Sequence, residues 1–195
     1  SIEVAVRGHA YDALVGFAGC DKTLPGTMMA MVRLNVPSVF VYGGSMLPGR
    51  TAEGGENTVL TAIEGVGRYQ TGEITRAQLD QVERSCAMTV GACPGQFTAN
   101  TMGMVGETLG LSMLGSATMP AVYSERYALA RRAGRRVMEM LRSGGPLPRD
   151  LVTRKSIENA CGAVAATGGS SNPAPDIPAI GEDAKIAIGV ALVTS

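Results

Sequence analysis

The sequence has little histidine, no tryptophan and no excess of charge of either sign. Its 195 residues contain one histidine, His9, so a histidine-rich zinc or non-haem iron site within this chain is not expected. A nucleophilic pair of His9 with a cysteine has no support in the residue spacing. Seventeen basic residues balance seventeen acidic ones. No overall field therefore attracts nucleic acid or an anionic membrane, and we expect neither as a partner.

Long apolar runs and paired cysteines are missing as well. No uninterrupted apolar segment approaches the roughly 20 residues that cross a bilayer, and the N-terminus lacks a basic region followed by an apolar one. Four widely spaced cysteines are too few for a disulfide scaffold and form no Cys-x-x-Cys pair. We therefore expect a reducing compartment, the cytoplasm or an organelle matrix. The cysteines are Cys20, Cys86, Cys93 and Cys161.

Length and composition favour one globular domain over residues 1–195. The hydrophobic content of 45 % is enough for a sizeable core, and 26 glycines indicate many tight turns or close backbone approaches. The chain starts at Ser1, without an initiating Met, in a segment with a helical pattern. We therefore expect an incomplete domain of a longer protein, or a processed piece of one.

The order of the elements favours an α/β fold. A helix is predicted over 27–33, and the β-branched and aromatic run 36–42 predicts a buried parallel strand that ends at Gly43. Helix, buried strand and glycine-rich loop in succession predict a three-layer α/β/α domain with a mainly parallel central sheet. Further helices are predicted over 58–69, 75–85, 98–112, 124–143 and about 148–166, and a last strand over 185–193.

The segment Gly-Cys-Asp-Lys-Thr-Leu-Pro-Gly (19–26) places a thiol, a carboxylate and an amine on consecutive residues. Neighbouring side chains diverge on a helix or strand, so a tight turn is the natural way to aim all three into one cavity. A helix predicted directly afterwards would put them at its N-terminus, which favours thiolates and anions. Cys20, Asp21 and Lys22 are therefore the first candidate site residues.

Two further loops carry polar and reactive residues. The loop 91–96 contains Cys93, which resembles Cys20 in following a small residue and preceding a predicted helix, and the loop 168–173 is rich in glycine and serine. Loops held by a rigid scaffold are where function concentrates. The alternative is that each cysteine is an ordinary buried side chain, although the charged neighbours of Cys20 argue against this there.

These segments together resemble a known family. VRGHAYDALVGFAGCDKTLPGTMMAMVRLNVPSVFVYGGSMLPGR (6–50), GACPGQFTANTM (91–102) and LVTRKSIENACGAVAATGGSSN (151–172) are similar to the dihydroxy-acid dehydratase branch of the dehydratases that also include 6-phosphogluconate and sugar-acid dehydratases. The resemblance covers residues 1 to about 180. It identifies an internal part of the N-terminal domain of such an enzyme.

The resemblance implies roles for four residues. Cys20 and Cys93 would bind an iron–sulfur cluster, [2Fe–2S] or [4Fe–4S], while Asp21 and a carbamylated Lys22 would bind Mg²⁺. The residue types suit these metals, because thiolates match iron and carboxylate-like oxygens match magnesium. Carbamylation would turn an amine that repels Mg²⁺ into a ligand that attracts it.

The resemblance also implies a reaction, the removal of water from a 2,3-dihydroxy acid to give a 2-keto acid in isoleucine and valine biosynthesis, by a homodimer or higher homo-oligomer. Family enzymes are longer, and their serine base and remaining metal ligands have no match here, so no catalytic residue is assigned. A sugar-acid substrate, and an inactive α/β interaction module, are the alternatives.

Two departures from the family pattern bear on the site. Cys86 stands seven residues before Cys93, where the family has a spacing of about six, so Cys86 is an alternative to Cys93 as the ligand. After Gly168-Gly169-Ser170 the family continues to a histidine, whereas this chain reaches Asp176.

Overall fold

Two parallel strands, β1 (Leu14–Ala18) and β2 (Ser38–Tyr42), lie at the centre of the fold. They pair in register from Leu14 opposite Ser38 to Ala18 opposite Tyr42.

The computed structural model describes residues 1–51 and 54–188. Within these residues the other elements are α1 (Ile2–Gly8), α2 (Thr23–Leu34), β3 (Gly49–Arg50), β4 (Glu56–Asn57), α3 (Val59–Gln70), α4 (Arg76–Ser85), α5 (Thr98–Thr108), α6 (Glu125–Ser143), α7 (Pro148–Leu151), α8 (Arg154–Ala166) and α9 (Pro173–Asp183).

Strand β2 is buried along its whole length and sends side chains to two different helix groups. Phe40 and Tyr42 belong to the main core, which is built with α2, α5, α8 and α9. Val39 and Val41 point the other way and pack with residues of α6. The alternation follows from the two-residue period of a strand, so both faces of β2 are covered.

The predicted mixture of helices with parallel strands is confirmed, but the extent of the sheet is not. In residues 1–51 and 54–188 the parallel sheet has two strands, extended only by an isolated bridge between Phe40 and Ser112. The structure therefore shows a mostly helical α/β fold and does not show the three-layer arrangement. In the same part of the chain, no helix is both long and apolar enough to span a membrane.

Helix α2 begins at Thr23, four residues before the predicted start at residue 27. Pro25 and Gly26, which the sequence places at the entrance of the helix, lie inside its first turn. Proline is tolerated there because the first backbone N–H groups have no intrahelical partner. The earlier start brings the helix N-terminus directly against the Cys-Asp-Lys turn.

The helix predicted from residue 148 to about 166 is two helices in the structure, α7 and α8. The chain is extended at Val152 and Thr153, and the Thr153 side chain accepts a hydrogen bond from the Ser156 amide. A threonine in this position caps a new helix. Helix α4 begins in the same way, with a capping box formed by Thr75 and Gln78.

Helix α9 has no counterpart among the predicted elements. Its prolines favour a loop in the sequence, yet Pro173 stands in the first turn, where proline fits. The predicted strand 185–193 is not observed over 185–188, and its remaining residues lie outside the described part of the chain. Helix α5 ends at Thr108, before the predicted residue 112, and the Leu111 carbonyl beyond it accepts a hydrogen bond from the Phe40 amide at 2.8 Å.

Candidate metal and cofactor site

The carboxyl ends of β1 and β2 bring two of the predicted loops together. Strand β1 ends two residues before Cys20, and β2 leads through Gly43 and Gly44 to Ser45. Ser45 pairs with Ala92 in a parallel bridge, and the amide of Ala92 donates to the Gly44 carbonyl at 2.9 Å. Cys93 is thereby fixed at the same edge of the sheet as Cys20. The carboxyl edge of parallel strands is the usual ligand-binding edge of α/β folds.

The turn that carries Cys20 is closed by hydrogen bonds to the start of α2. The Cys20 carbonyl accepts from the amides of Thr23 and Leu24, each at 3.1 Å. The Thr23 hydroxyl donates to the same carbonyl at 2.8 Å and accepts from the Cys20 amide at 3.1 Å. Cys20 is therefore exposed beside the positive end of a twelve-residue helix.

Cys20, Asp21 and Cys93 line one cavity of about 280 Å³. The sequence predicts these three as site residues, and the structure brings them together although Cys93 lies more than seventy positions along the chain. Most of the remaining wall is apolar, so the two sulfurs face a surface that offers few competing polar groups. These other lining residues are Val59, Leu60, Ile63, Ala92, Phe97, Thr98 and Ala99.

Tyr42 belongs to the same core cluster as Ala92 and Ala99, which line this cavity, and carries a hydroxyl without a partner among the described residues. The residue is fully buried, and its Oη has no hydrogen-bond partner in residues 1–51 and 54–188. Burial raises the pKa of Tyr42 to about 12; Arg126 opposes that rise, whereas the charges of Cys93 and Cys20 add to it. A buried hydroxyl left unpaired costs about 1–3 kcal/mol. Tyr42 was predicted only as a strand residue, although the alternation along β2 places it on the Cys20 side.

Lys22 makes a contact that the sequence did not predict. Its Nζ donates to both carboxylate oxygens of Asp176, at 3.1 and 3.3 Å, across 154 positions of sequence. The Asp176 side chain is 10 % exposed and that of Lys22 is 58 % exposed. In the sequence Asp176 stood out only as a departure from the family pattern. It lies on α9, which was not predicted, so the pairing could not be anticipated.

The third predicted loop is tied to the start of α5. The Thr98 hydroxyl lies 2.7 Å from that of Ser170 and accepts from the Asn172 side-chain amide at 2.7 Å. The Ser170 amide in turn donates to the Thr101 hydroxyl at 3.2 Å. Since Thr98 lines the cavity and Asp176 follows this loop on α9, all three loops converge on one region.

The other cysteines and the histidine lie apart from the cavity. Cys86 ends α4, where its thiol donates to the Glu83 carbonyl at 3.3 Å. Cys161 stands on α8, packed against the main core, and burial raises its pKa. His9 is exposed and stacks on Tyr11. In the described residues the geometry therefore favours Cys93 over Cys86 as the partner of Cys20.

The donor atoms fit part of a metal site. In the part of the chain that the structure describes, no three side chains of His, Cys, Asp or Glu form a ready-made metal-binding group. Two thiols on one cavity suit iron, and a carboxylate beside them suits magnesium. The residues present thus fit these metals as a partial ligand set.

Comparison with known proteins gives a family for the whole chain. The model of the N-terminal region of dihydroxy-acid/6-phosphogluconate dehydratases matches residues 1–195. The chain is 67 % identical, over 96 % of its length, to dihydroxy-acid dehydratase 2 of Bordetella bronchiseptica. It is 60 % identical, over 97 % of its length, to dihydroxy-acid dehydratase 3 of Bradyrhizobium diazoefficiens.

A more distant relative gives the same result. The chain is 46 % identical, over 97 % of its length, to the dihydroxy-acid dehydratase of Natronomonas pharaonis. In each case it covers only 32 to 33 % of the relative, so it spans about a third of the length of the curated relatives it matches. The family suggested by the loops at 19–26, 91–96 and 168–173 is confirmed. The chain belongs to the dihydroxy-acid/6-phosphogluconate dehydratase family and corresponds to its N-terminal region.

Proposed function

We propose that this chain is part of a hydro-lyase that converts 2,3-dihydroxy acids to 2-keto acids in branched-chain amino-acid biosynthesis. The observation that carries the proposal is the single cavity shared by Cys20, Asp21 and Cys93. The relatives named as dihydroxy-acid dehydratases support this substrate class. Residues 1–195 would form one incomplete N-terminal domain of that enzyme.

Cys20 and Cys93 would hold an iron–sulfur cluster, of the [2Fe–2S] or [4Fe–4S] type. Their two sulfurs are fewer than the four protein ligands that such clusters usually have, so other parts of the protein would supply the rest. The apolar wall of the cavity would exclude water from the bound cluster, and the positive end of α2 beside Cys20 would attract the negative charge of the cluster.

Asp21 and Lys22 would hold Mg²⁺ beside the cluster. Asp21 offers a carboxylate inside the cavity, whereas Lys22 needs carbamylation and release from Asp176 before it becomes a ligand. A cluster held by Cys20 and Cys93 would supply a Lewis acid for loss of the hydroxyl, and Mg²⁺ held by Asp21 and Lys22 would supply positive charge for the substrate carboxylate. We assign no catalytic base to the described residues.

Exposed apolar side chains among the described residues support assembly of this chain with the rest of a longer protein or with a second copy of itself. Phe17 on β1 and Ile63 on α3 are 71 % and 66 % exposed. Large apolar side chains in such positions are normally covered. A homodimer or higher homo-oligomer and a three-layer α/β/α domain remain our proposals, the latter supported by the helices packed on both faces of β2.

Turnover tests the proposed function. The protein with all of its native sequence, reconstituted with iron, sulfide and Mg²⁺ without oxygen, should convert 2,3-dihydroxyisovalerate to 2-ketoisovalerate. Preference for an aldonate or for 6-phosphogluconate would assign it to the sugar-acid branch instead. A cluster-loaded protein without dehydratase activity towards any of these acids would support an inactive interaction module.

A further inference from the structure

A second cavity, of about 410 Å³, lies at the end of α2 that is remote from Cys20. It differs from the cysteine cavity because every residue that lines it has an ionisable side chain. The lining residues are Arg7, Arg33, Arg149 and Lys185, with Glu3 and Asp183. Four basic groups against two acidic groups leave an excess of two positive charges at neutral pH.

The two carboxylates of this cavity are both engaged by Arg33. Arg33 Nη2 lies 3.0 Å from Glu3 Oε2, and Arg33 Nε lies 4.0 Å from Asp183 Oδ1. Arg7 comes only within 3.7 Å of Glu3, and 68 % of its side chain is exposed. The acidic groups therefore offset Arg33 and part of Arg7, and they do not cancel the positive charge of the cavity.

Arg149 is held in place by the last turn of α2. Its Nε donates to the Val32 carbonyl at 3.0 Å, and its Nη2 donates to the Arg33 carbonyl at 3.4 Å. Its amide donates to the side-chain oxygen of Asn35 at 3.0 Å. These contacts leave Nη1 without a hydrogen bond to the described residues. The guanidinium group is therefore ordered in advance and still has N–H groups to offer, which lowers the entropic cost of binding a ligand.

Lys185 brings the fourth positive charge from the chain beyond α9. It stands two residues after the end of that helix in a left-handed backbone conformation, with φ of 64°. In residues 1–51 and 54–188, neither Lys185 nor Arg149 pairs with a carboxylate. Cations that share a cavity without a counter-charge repel each other, so this cavity favours an anion as its ligand.

A phosphate group fits both the charge and the donors of the cavity. It carries a charge of about −1.5 to −2 at pH 7, close to the excess of two positive charges. Guanidinium groups bind phosphate oxygens in pairs, and an ammonium group adds a point charge. We propose that this cavity binds a phosphate group, either as free phosphate or on a small metabolite. The site is separate from the cysteine cavity and does not depend on the proposed function.

The two carboxylates would make the site selective among anions. An ionised carboxylate can only accept a hydrogen bond. Hydrogen phosphate has a P–OH group that can donate to it, and a phosphorylated metabolite can donate through its own hydroxyls, whereas sulfate has no donor. The volume lies in the range of about 300–1,000 Å³ that is typical of small-molecule sites, so a metabolite has room beside its phosphate.

Titration with inorganic phosphate tests the proposal. Calorimetry on the protein with all of its native sequence, at constant ionic strength, gives the dissociation constant. The double variant Arg7→Gln, Lys185→Gln removes two exposed positive charges from the cavity and should raise this constant at least about tenfold. The matched control, Arg131→Gln with Arg135→Gln, removes the same charge from exposed positions on α6 and should leave the constant unchanged.

Three results would overturn the proposal: no saturable binding of phosphate by the wild type, equal weakening in the two double variants, or sulfate binding as tight as phosphate binding. Glycerol 3-phosphate identifies the source of the phosphate group. Tighter binding of this ester than of inorganic phosphate would support a phosphorylated metabolite, and the reverse would support free phosphate. Iron and sulfide content after reconstitution should be the same in all of these variants, so failure of the phosphate site and failure of the proposed function are distinguishable.

Discussion

The candidate site has a sulfur side, with Cys20 and Cys93, and an oxygen side, with Asp21 and Lys22. The two sides differ in whether their side chains already have partners within the chain. On the sulfur side, Cys20 and Cys93 line a largely apolar cavity. On the oxygen side, Lys22 is paired with the nearly buried carboxylate of Asp176. The two cysteines thus line an open cavity, whereas Lys22 would have to leave its ion pair with Asp176 before it could serve the proposed Mg²⁺ site.

This difference follows from physical chemistry. An exposed thiol costs little to leave without a partner, but a nearly buried carboxylate without a counter-charge is expensive. In this structure the Lys22 amine neutralises Asp176. The family resemblance implies that the same Lys22, once carbamylated, would bind Mg²⁺. Binding at the two sides is therefore expected to respond differently to substitution.

Of the substitutions considered, replacing Cys20 should have the largest effect, and it tests the sulfur side of the site. Cys20→Ser removes a proposed sulfur ligand from the cavity, and we expect complete loss of the cluster, measured as iron and acid-labile sulfide per chain. Cys161→Ser is the matched control, because Cys161 packs on α8 against the main core. Equal loss of iron in both variants would remove the distinction between a ligand and a structural cysteine.

Replacing Lys22 probes the oxygen side. Lys22→Ala should weaken Mg²⁺ binding about tenfold or more, the scale on which metal-site partners act, because a carbamate ligand is lost. The dissociation constant should be measured by titration of metal-free protein in the presence of bicarbonate. An unchanged Mg²⁺ affinity would show that Lys22 is not a ligand.

Releasing Lys22 from its partner should act in the opposite direction. A carbamate on Lys22 and the carboxylate of Asp176 would repel each other across the 3.1 Å contact that the amine now makes. Asp176→Asn removes one of these charges, so we expect a larger carbamylated fraction at a given bicarbonate concentration, by a few-fold. ¹³C NMR with labelled bicarbonate measures that fraction directly.

Asp176→Glu keeps the negative charge and is the control for that experiment. It should leave the carbamylated fraction close to the wild-type value. If Asp176→Asn instead lowered the fraction, Asp176 would be assisting the carbamate, and the contrast between the two sides of the site would disappear.

The link between the second and third loops should contribute a smaller amount to stability. Thr98→Val removes the hydroxyl that bonds to Ser170 and Asn172, and a side-chain hydrogen bond is worth about 0.5–1.5 kcal/mol. We expect the free energy of unfolding in urea to fall by about 1 to 2 kcal/mol. Thr118→Val, at an exposed threonine, should change it by less than about 0.5 kcal/mol. Similar values for both variants would mean that the loops are held by other contacts.

The pH dependence of stability should report on Tyr42. Its pKa is raised from 10.0 to about 12 in the folded chain, so the unfolded chain loses this proton first as the pH rises. The associated stability is complete below about pH 10 and is lost progressively up to about pH 12. Tyr42→Phe should flatten this part of the profile, measured as the free energy of unfolding in urea at each pH. The same decline in both proteins would refute the assignment to Tyr42.

The sequence predicted the parts of the site that are local and missed those that depend on distant contacts. Cys20, Asp21 and Lys22 are adjacent in the chain, and the turn predicted there before a helix is enough to bring them together at the helix N-terminus. The pairing of Lys22 with Asp176 spans 154 positions and depends on α9. This helix was not predicted, because its prolines are typical of a loop.

The fold shows the same division. Helix α6 and strand β2 were predicted nearly residue by residue, since amphipathic and buried patterns determine them. The break at Thr153 and the early start of α2 were not, because capping hydrogen bonds and a proline in the first helical turn decide them. The size of the sheet could not be predicted, because strand pairing is not a local property.

The most direct test of the account asks which cysteine joins Cys20 at the cluster. Iron and acid-labile sulfide should be measured after anaerobic reconstitution of the wild-type protein and of the Cys93→Ser and Cys86→Ser variants. Cys93 lines the cavity, whereas the Cys86 thiol is bonded to the Glu83 carbonyl at the end of α4. The account predicts a cluster in the wild type and in Cys86→Ser and none in Cys93→Ser. A cluster retained in Cys93→Ser and lost in Cys86→Ser would contradict it.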